Sequence, residues 1–287
     1  MTSPASPREQ DEIDPLQQRR VDSLEQHAID LREQDEIDRS AHEASKTVIE
    51  HVDLTRYLNP PADTAFPLEY AFSLLGDVNK KTVLDLGCGS GETLIPLLNR
   101  GANVMGIDIS PDLIAIAERR LRQVGLTANV SVGSAYETKL PDACVDVIFC
   151  MALIHHLDIP KVREEMWRIL RPGGFIILRE PVRFSKVYGW LRGLLPDRKD
   201  ISDYEHPLTR YEFDQMREGF ESDGLRFFRL PFVPLVQRIL PAAQSVALRL
   251  SNSIVQWLPP ISRYATIVVV RLVKPDSGAS AFKNGDV

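Results

Sequence analysis

The sequence predicts an α/β fold: a mostly parallel sheet with helices on both faces, extended by a helical N-terminal arm and by helical insertions. Three observations carry this. Residues 82–91 read T-V-L-D-L-G-C-G-S-G, an apolar run that ends in Gly87, Gly89 and Gly91 at alternate positions. Residues 103–107 form a second apolar run, closed by Asp108. Further short apolar runs at 129–132, 144–150, 175–178, 225–230 and 265–273 are separated by helical patterns, as in a sheet wound through helical crossovers.

The first run has the continuous apolar character of a strand buried on both faces. Glycine allows positive φ and lets backbone approach a ligand with no Cβ in the way. A helix pattern over 92–100 follows, so strand, glycine turn and helix start make the first crossover of a nucleotide-binding sheet. The spacing is G-x-G-x-G. Glu92 stands where a pyrophosphate fingerprint needs its third glycine, which weighs against a dinucleotide. Asp85 places a carboxylate that would repel a pyrophosphate and welcome a cationic group. Asp108, at the end of the second strand, is placed to accept hydrogen bonds from a ribose diol.

These stretches resemble the class I S-adenosylmethionine-dependent methyltransferases, whose first motif is close to V-L-D-L-G-C-G-x-G. The resemblance covers residues 65–185 well and points to the small-molecule and quinone-type branch. It implies a Rossmann-like seven-stranded, mostly parallel sheet with an antiparallel last strand. It implies S-adenosyl-L-methionine as cofactor, and a site of Asp85, Gly87, Gly89, Gly91, Asp108, Ile109, Ser134, Ala135 and Met151. Ser134 departs from the family, which usually has an acid there for the adenine amino group; its hydroxyl could accept the same bond. The sulfonium makes the methyl group electrophilic, so catalysis is largely in-line alignment of a small, apolar acceptor.

A base matters only if the acceptor holds a proton. The candidates are His155 and His156, in the stretch M-A-L-I-H-H-L after the fourth strand, because histidine titrates near neutrality. Either ring could instead simply pack. Glu180, at the next strand end, could orient a histidine, bind substrate or sit solvated. Tyr57, Tyr204 and His206 are substrate-contact candidates. No His, Cys, Asp and Glu grouping has metal-ligand spacing, so no metal is expected. Two other readings stand beside it: a non-catalytic S-adenosylmethionine-binding protein, which the intact motif also allows, and a nicotinamide-dependent oxidoreductase, which shares the sheet but is opposed by Glu92.

Composition bounds the rest. At 287 residues and 44% hydrophobic the chain can bury one large core. Cys88, Cys144 and Cys150 lie in or beside apolar runs with no C-x-x-C pair, as free thiols of a reducing compartment do. The net charge is −6, and residues 1–51 hold 6 Lys+Arg against 13 Asp+Glu. The acidity belongs to the arm and no basic face is visible, which disfavours nucleic acid. With no leader-like apolar segment at the start and no apolar run of spanning length, a cytoplasmic protein is expected.

In order, residues 1–14 are expected to be disordered and 15–64 to form a helical arm or lid, with helix over 15–50. The heptapeptide R-E-Q-D-E-I-D occurs at 8–14 and again at 32–38, too few copies for a solenoid. Residues 65–275 form the domain, with helix expected over 64–75. Ser110-Pro111 and Thr209 with Glu212 read as helix starts. The domain carries insertions at 182–207 and 232–258; residues 276–287 form a polar tail. Leu235, Val236, Ile239, Leu240, Val246, Leu250 and Ile254 recur at helical spacing, and Pro241 should divide that helix. The insertions could be ordinary core, an apolar cap over a lipid-like or isoprenoid acceptor, or a peripheral membrane contact. The sequence leaves the oligomeric state open.

Overall fold

The computed structural model describes residues 15–49, 53–185 and 206–276. In chain order the elements are α1 (Pro15–Lys46), α2 (Thr55–Leu58), α3 (Pro67–Leu74), β1 (Thr82–Leu86), α4 (Leu94–Asn99), β2 (Asn103–Asp108), α5 (Pro111–Gln123), β3 (Asn129–Val132), β4 (Val145–Met151), α6 (Ile159–Ile169), β5 (Leu170–Pro181), α7 (Arg210–Arg217), β6 (Glu221–Phe228), α8 (Phe232–Ile239), α9 (Gln244–Trp257) and β7 (Ile267–Val273). The strands form one sheet in the order β3-β2-β1-β4-β5-β7-β6, with β7 antiparallel to both neighbours. This is the expected Rossmann-like seven-stranded sheet.

Side-chain alternation along each strand builds two apolar layers. In β1, Leu84 and Leu86 enter one layer and Val83 the other. In β4, Ile148 and Cys150 join the first layer, Val147 and Phe149 the second, and all four are fully buried. Each such side chain contributes about 1.5–3 kcal/mol of transfer free energy. β1 pairs with β2 on one side and β4 on the other, so the chain reverses its direction of travel across the sheet at β1. Ligands of open α/β sheets bind at that reversal, beyond the strands' carboxyl ends.

Local signals place the helices. Ser110 Oγ accepts the Leu113 N–H at the start of α5, and Thr209 with Glu212 closes a capping box on α7. Proline separates α8 from α9 through a short turn at Pro241–Ala243, as the sequence indicates.

The structure corrects several boundaries. The arm helix stops at Lys46 rather than near residue 50. Helix α3 starts at Pro67, because Thr64 turns its hydroxyl onto the Glu69 carboxylate. β5 begins at Leu170, five residues early, and absorbs the R-P-G-G turn as a register break between Val145 and Val147 of β4. β6 is Glu221–Phe228 rather than 225–230. Its polar start hid it, and its register breaks between Asp223 and Arg226. Gly224 permits that break: its φ is +58°, and a Cβ there would meet Leu74 Cδ2 at 2.6 Å. The expected disorder of 1–14, residues 277–287 of the tail, and residues 186–205 of the first insertion with Tyr204 lie outside the described residues.

Candidate functional site

The glycine loop leaves β1 and turns over the end of β2. Gly87 and Cys88 donate their N–H groups to the Ile107 carbonyl, at 2.8 and 3.1 Å. Gly89 donates to Asp108 Oδ2 at 2.8 Å, and Ser110 N–H donates to Oδ1 at 2.9 Å. The Asp108 carboxylate is thus fixed between the loop and the start of α5. Burial pushes its carboxyl above the ordinary carboxylate range, while these two bonds pull it back.

Above this lies a cavity of about 330 Å³. Gly87, Gly89, Asp108, Ile109, Ala135 and His156 line it, as the sequence indicates, joined by Leu113, Ala152 and Leu153. Gly89 has φ +50° and nothing within 4 Å of where a Cβ would stand. Its backbone therefore faces open space, the cradle a close-approaching ligand needs.

Other expected residues stand further back. Gly91 packs rather than lines: a Cβ there would meet Ala117 Cβ of α5 at 2.8 Å. Asp85 is 1% exposed, beneath the loop, and accepts the Thr93 hydroxyl. Burial pushes its carboxyl up to about 7, Asp108 adds to that, and the Thr93 bond opposes it. Met151 ends β4 among the apolar groups of the second layer. Ser134 does not line the cavity: its Oγ accepts the Tyr136 N–H at 3.0 Å and donates its proton to Glu33, which does.

The two histidines separate. His155, 8% exposed, is held through Nδ1 by Glu180 Oε2 at 2.9 Å. Glu180 Oε1 accepts the N–H groups of Leu153 and Ile154, each at 2.9 Å. Glu180 thus organises the turn after β4 from inside the protein. His156 lines the cavity instead, with Nδ1 3.3 Å from Glu36 Oε2 of α1. The rings lie against one another, centroids 4.1 Å apart.

Tyr57 does not reach the cavity. It packs on Phe72, centroids 5.1 Å apart, and Phe72 packs on Phe149. Burial raises its phenol above the ordinary value. His206 is exposed and lies 3.6 Å from Glu212. The cover is α1 itself, through Arg32, Glu33, Glu36, Ser40 and Glu43. These residues escaped sequence reasoning. Three of them belong to the second R-E-Q-D-E-I-D copy, yet charges at helical spacing look the same on a solvated face as on a seated one. Lys161 of α6 fastens the helix further along, 3.0 Å from Glu25.

Comparison with known proteins places this geometry. Residues 84–178 match the family model described as a methyltransferase domain. The ubiquinone biosynthesis O-methyltransferase of Cupriavidus pinatubonensis is 27% identical over 167 residues, covering 55% of this chain and 66% of that protein. The demethylmenaquinone methyltransferase of Thermus thermophilus is 32% identical over 131 residues, covering 40% and 60%. The chain spans between 52% and 66% of the length of the first three curated relatives. In fold it is similar to the geranyl diphosphate C-methyltransferase of Streptomyces coelicolor A3(2), with a TM-score of 0.56 at 15% identity over 86% of this chain and 98% of that one.

Proposed function

We propose that the chain, whose residues 84–178 match a methyltransferase domain, is a class I S-adenosylmethionine-dependent methyltransferase that transfers a methyl group from S-adenosylmethionine to a small, apolar acceptor. The observation that carries this is the conjunction of the open Gly89 backbone with the fixed Asp108 carboxylate at one cavity. A carboxylate offers roughly four lone-pair positions, and the two N–H bonds leave it capacity for a diol. Ile109, Leu113 and Ala135 supply apolar wall for a heterocycle. When bound, the cofactor's sulfonium supplies a methyl group that is already electrophilic.

The chain's own residues then position the acceptor and manage its proton. His156 is the cavity-lining histidine, so it is the group placed to take a proton from a hydroxyl acceptor. Glu36 beside it would pair with the imidazolium so formed. His155 and Glu180 act as positioning residues through the turn that carries His156. The quinone-type relatives support a hydroxylated ring with an apolar tail as acceptor.

The test is transfer of labelled methyl from S-adenosylmethionine to a lipid extract, with the product identified by mass spectrometry as a gain of one methylene. Calorimetric binding of the cofactor with no transfer to any fraction would replace this reading with the non-catalytic one. No binding would remove both.

A further inference from the structure

Helices α8 and α9 carry apolar side chains on two sides. One side is core: Val233, Ala247 and Leu248 are buried together against Phe66. The other faces solvent. Leu235 and Ile239 of α8 are exposed, Ile239 by 72%. On α9, Val246, Leu250 and Trp257 are exposed at i, i+4 and i+11, Trp257 by 83%. Leu240 and Leu258, at the ends of the two helices, extend the same character. Single exposed apolar side chains are ordinary, but a run at helical spacing on adjacent helices marks a contact surface.

Charge identifies the partner. The chain as a whole has net charge −6, yet residues 224–275 contain no Asp or Glu. Arg238, Arg249 and Arg263 are exposed and have no carboxylate partner among the described residues. An ordinary solvated helix face interleaves both signs. An interfacial helix instead combines apolar side chains, a tryptophan at the boundary and basic residues alone. No helix among the described residues is long and apolar enough to cross a membrane, so the contact lies on the surface.

We propose that the outer face of α8 and α9 docks on an anionic phospholipid surface, with Leu235, Ile239, Leu250 and Trp257 entering the interface and Arg238 and Arg249 meeting the headgroups. This deepens the apolar-acceptor reading by naming the phase from which the acceptor would be drawn. It rests on that reading for its purpose only, because vesicle binding is read without turnover.

The experiment is co-sedimentation of the full chain with phosphatidylcholine vesicles, with and without phosphatidylglycerol. The wild-type protein should pellet with the anionic vesicles at low salt and stay in solution with the neutral ones. Leu250→Ser with Trp257→Ser should abolish pelleting, and so should Leu235→Ser with Ile239→Ser on the other helix. All four positions are exposed, and unchanged urea unfolding will show that each variant is folded. Arg238→Gln and Arg249→Gln should each weaken binding roughly fivefold at low salt. The proposal is overturned if the wild-type protein stays in the supernatant with anionic vesicles, if it pellets equally with neutral ones, or if the serine variants pellet unchanged. It is also overturned if light scattering shows a dimer that Leu250→Ser makes monomeric, which would give the face to a second copy of the chain.

Discussion

Glu180 holds His155 with one carboxylate oxygen and the backbone of Leu153 and Ile154 with the other, all at 2.9 Å. One buried carboxylate thereby faces two backbone donors and a ring nitrogen, and as an acceptor it favours the tautomer with the His155 proton on Nδ1. Glu180→Gln can keep the two backbone bonds through its carbonyl oxygen, but it turns an NH₂ toward Nδ1. His155 must then carry its proton on Nε2. The expected result is a loss of about 1–3 kcal/mol in urea unfolding, together with a tautomer change visible by nitrogen NMR of the ring.

Of the two histidines, His156 lines the cavity and His155 is buried against Glu180. His156→Ala should lower turnover on a hydroxyl acceptor by roughly 10²–10⁴-fold with cofactor affinity little changed. His155→Ala should act mainly on stability, because it strips Glu180 of a partner inside the protein. Turnover per folded molecule, measured for both variants, separates these effects. A His156 variant that keeps wild-type turnover would show that the proton does not leave through His156.

Asp108→Ala should weaken S-adenosylmethionine binding by about 1–3 kcal/mol, since a charged acceptor is lost from a buried diol. Calorimetric titration measures it. Gly89 and Ser110 N–H would also lose their partner, so the variant's unfolding midpoint should be read alongside.

Asp85 makes a prediction about pH. Its carboxyl is raised to about 7 in the folded protein, mainly by burial. The folded state therefore holds a proton that the unfolded state has released between the ordinary carboxylate range and about pH 7. The stability that Asp85 confers is complete below that window, falls as pH rises through it, and is flat above. Asp85→Asn cannot release the proton. The difference in melting temperature, variant minus wild type, should grow from about pH 5 to about pH 7 and then level off. A difference independent of pH would show that Asp85 titrates as an ordinary carboxylate.

Much of this was legible in the sequence because it is local. An apolar strand, alternating glycines and an acid at the next strand end each follow from a few neighbouring residues, and Gly89 and Asp108 meet accordingly. The glycine pattern alone could not separate Gly91, which serves helix packing, from Gly89, which faces the cavity. The surroundings of His155 and His156 depend on which side of the turn after β4 meets Glu180, and that is set by a strand 25 residues away. The polar start of β6 earns its place from pairing with β7, not from its own composition. The arm was least legible, since nothing within 32–43 tells which charges face the domain.

That arm has a consequence for the order of events. Glu33, Glu36, Glu43 and Asp108 line the cavity against one guanidinium, that of Arg32. Methyl transfer removes the positive charge of the sulfonium and leaves a neutral thioether. A cover rich in carboxylates attracts the charged donor more strongly than the spent one. A cofactor bound beneath this cover would therefore be held less firmly by its carboxylates once the methyl group has left.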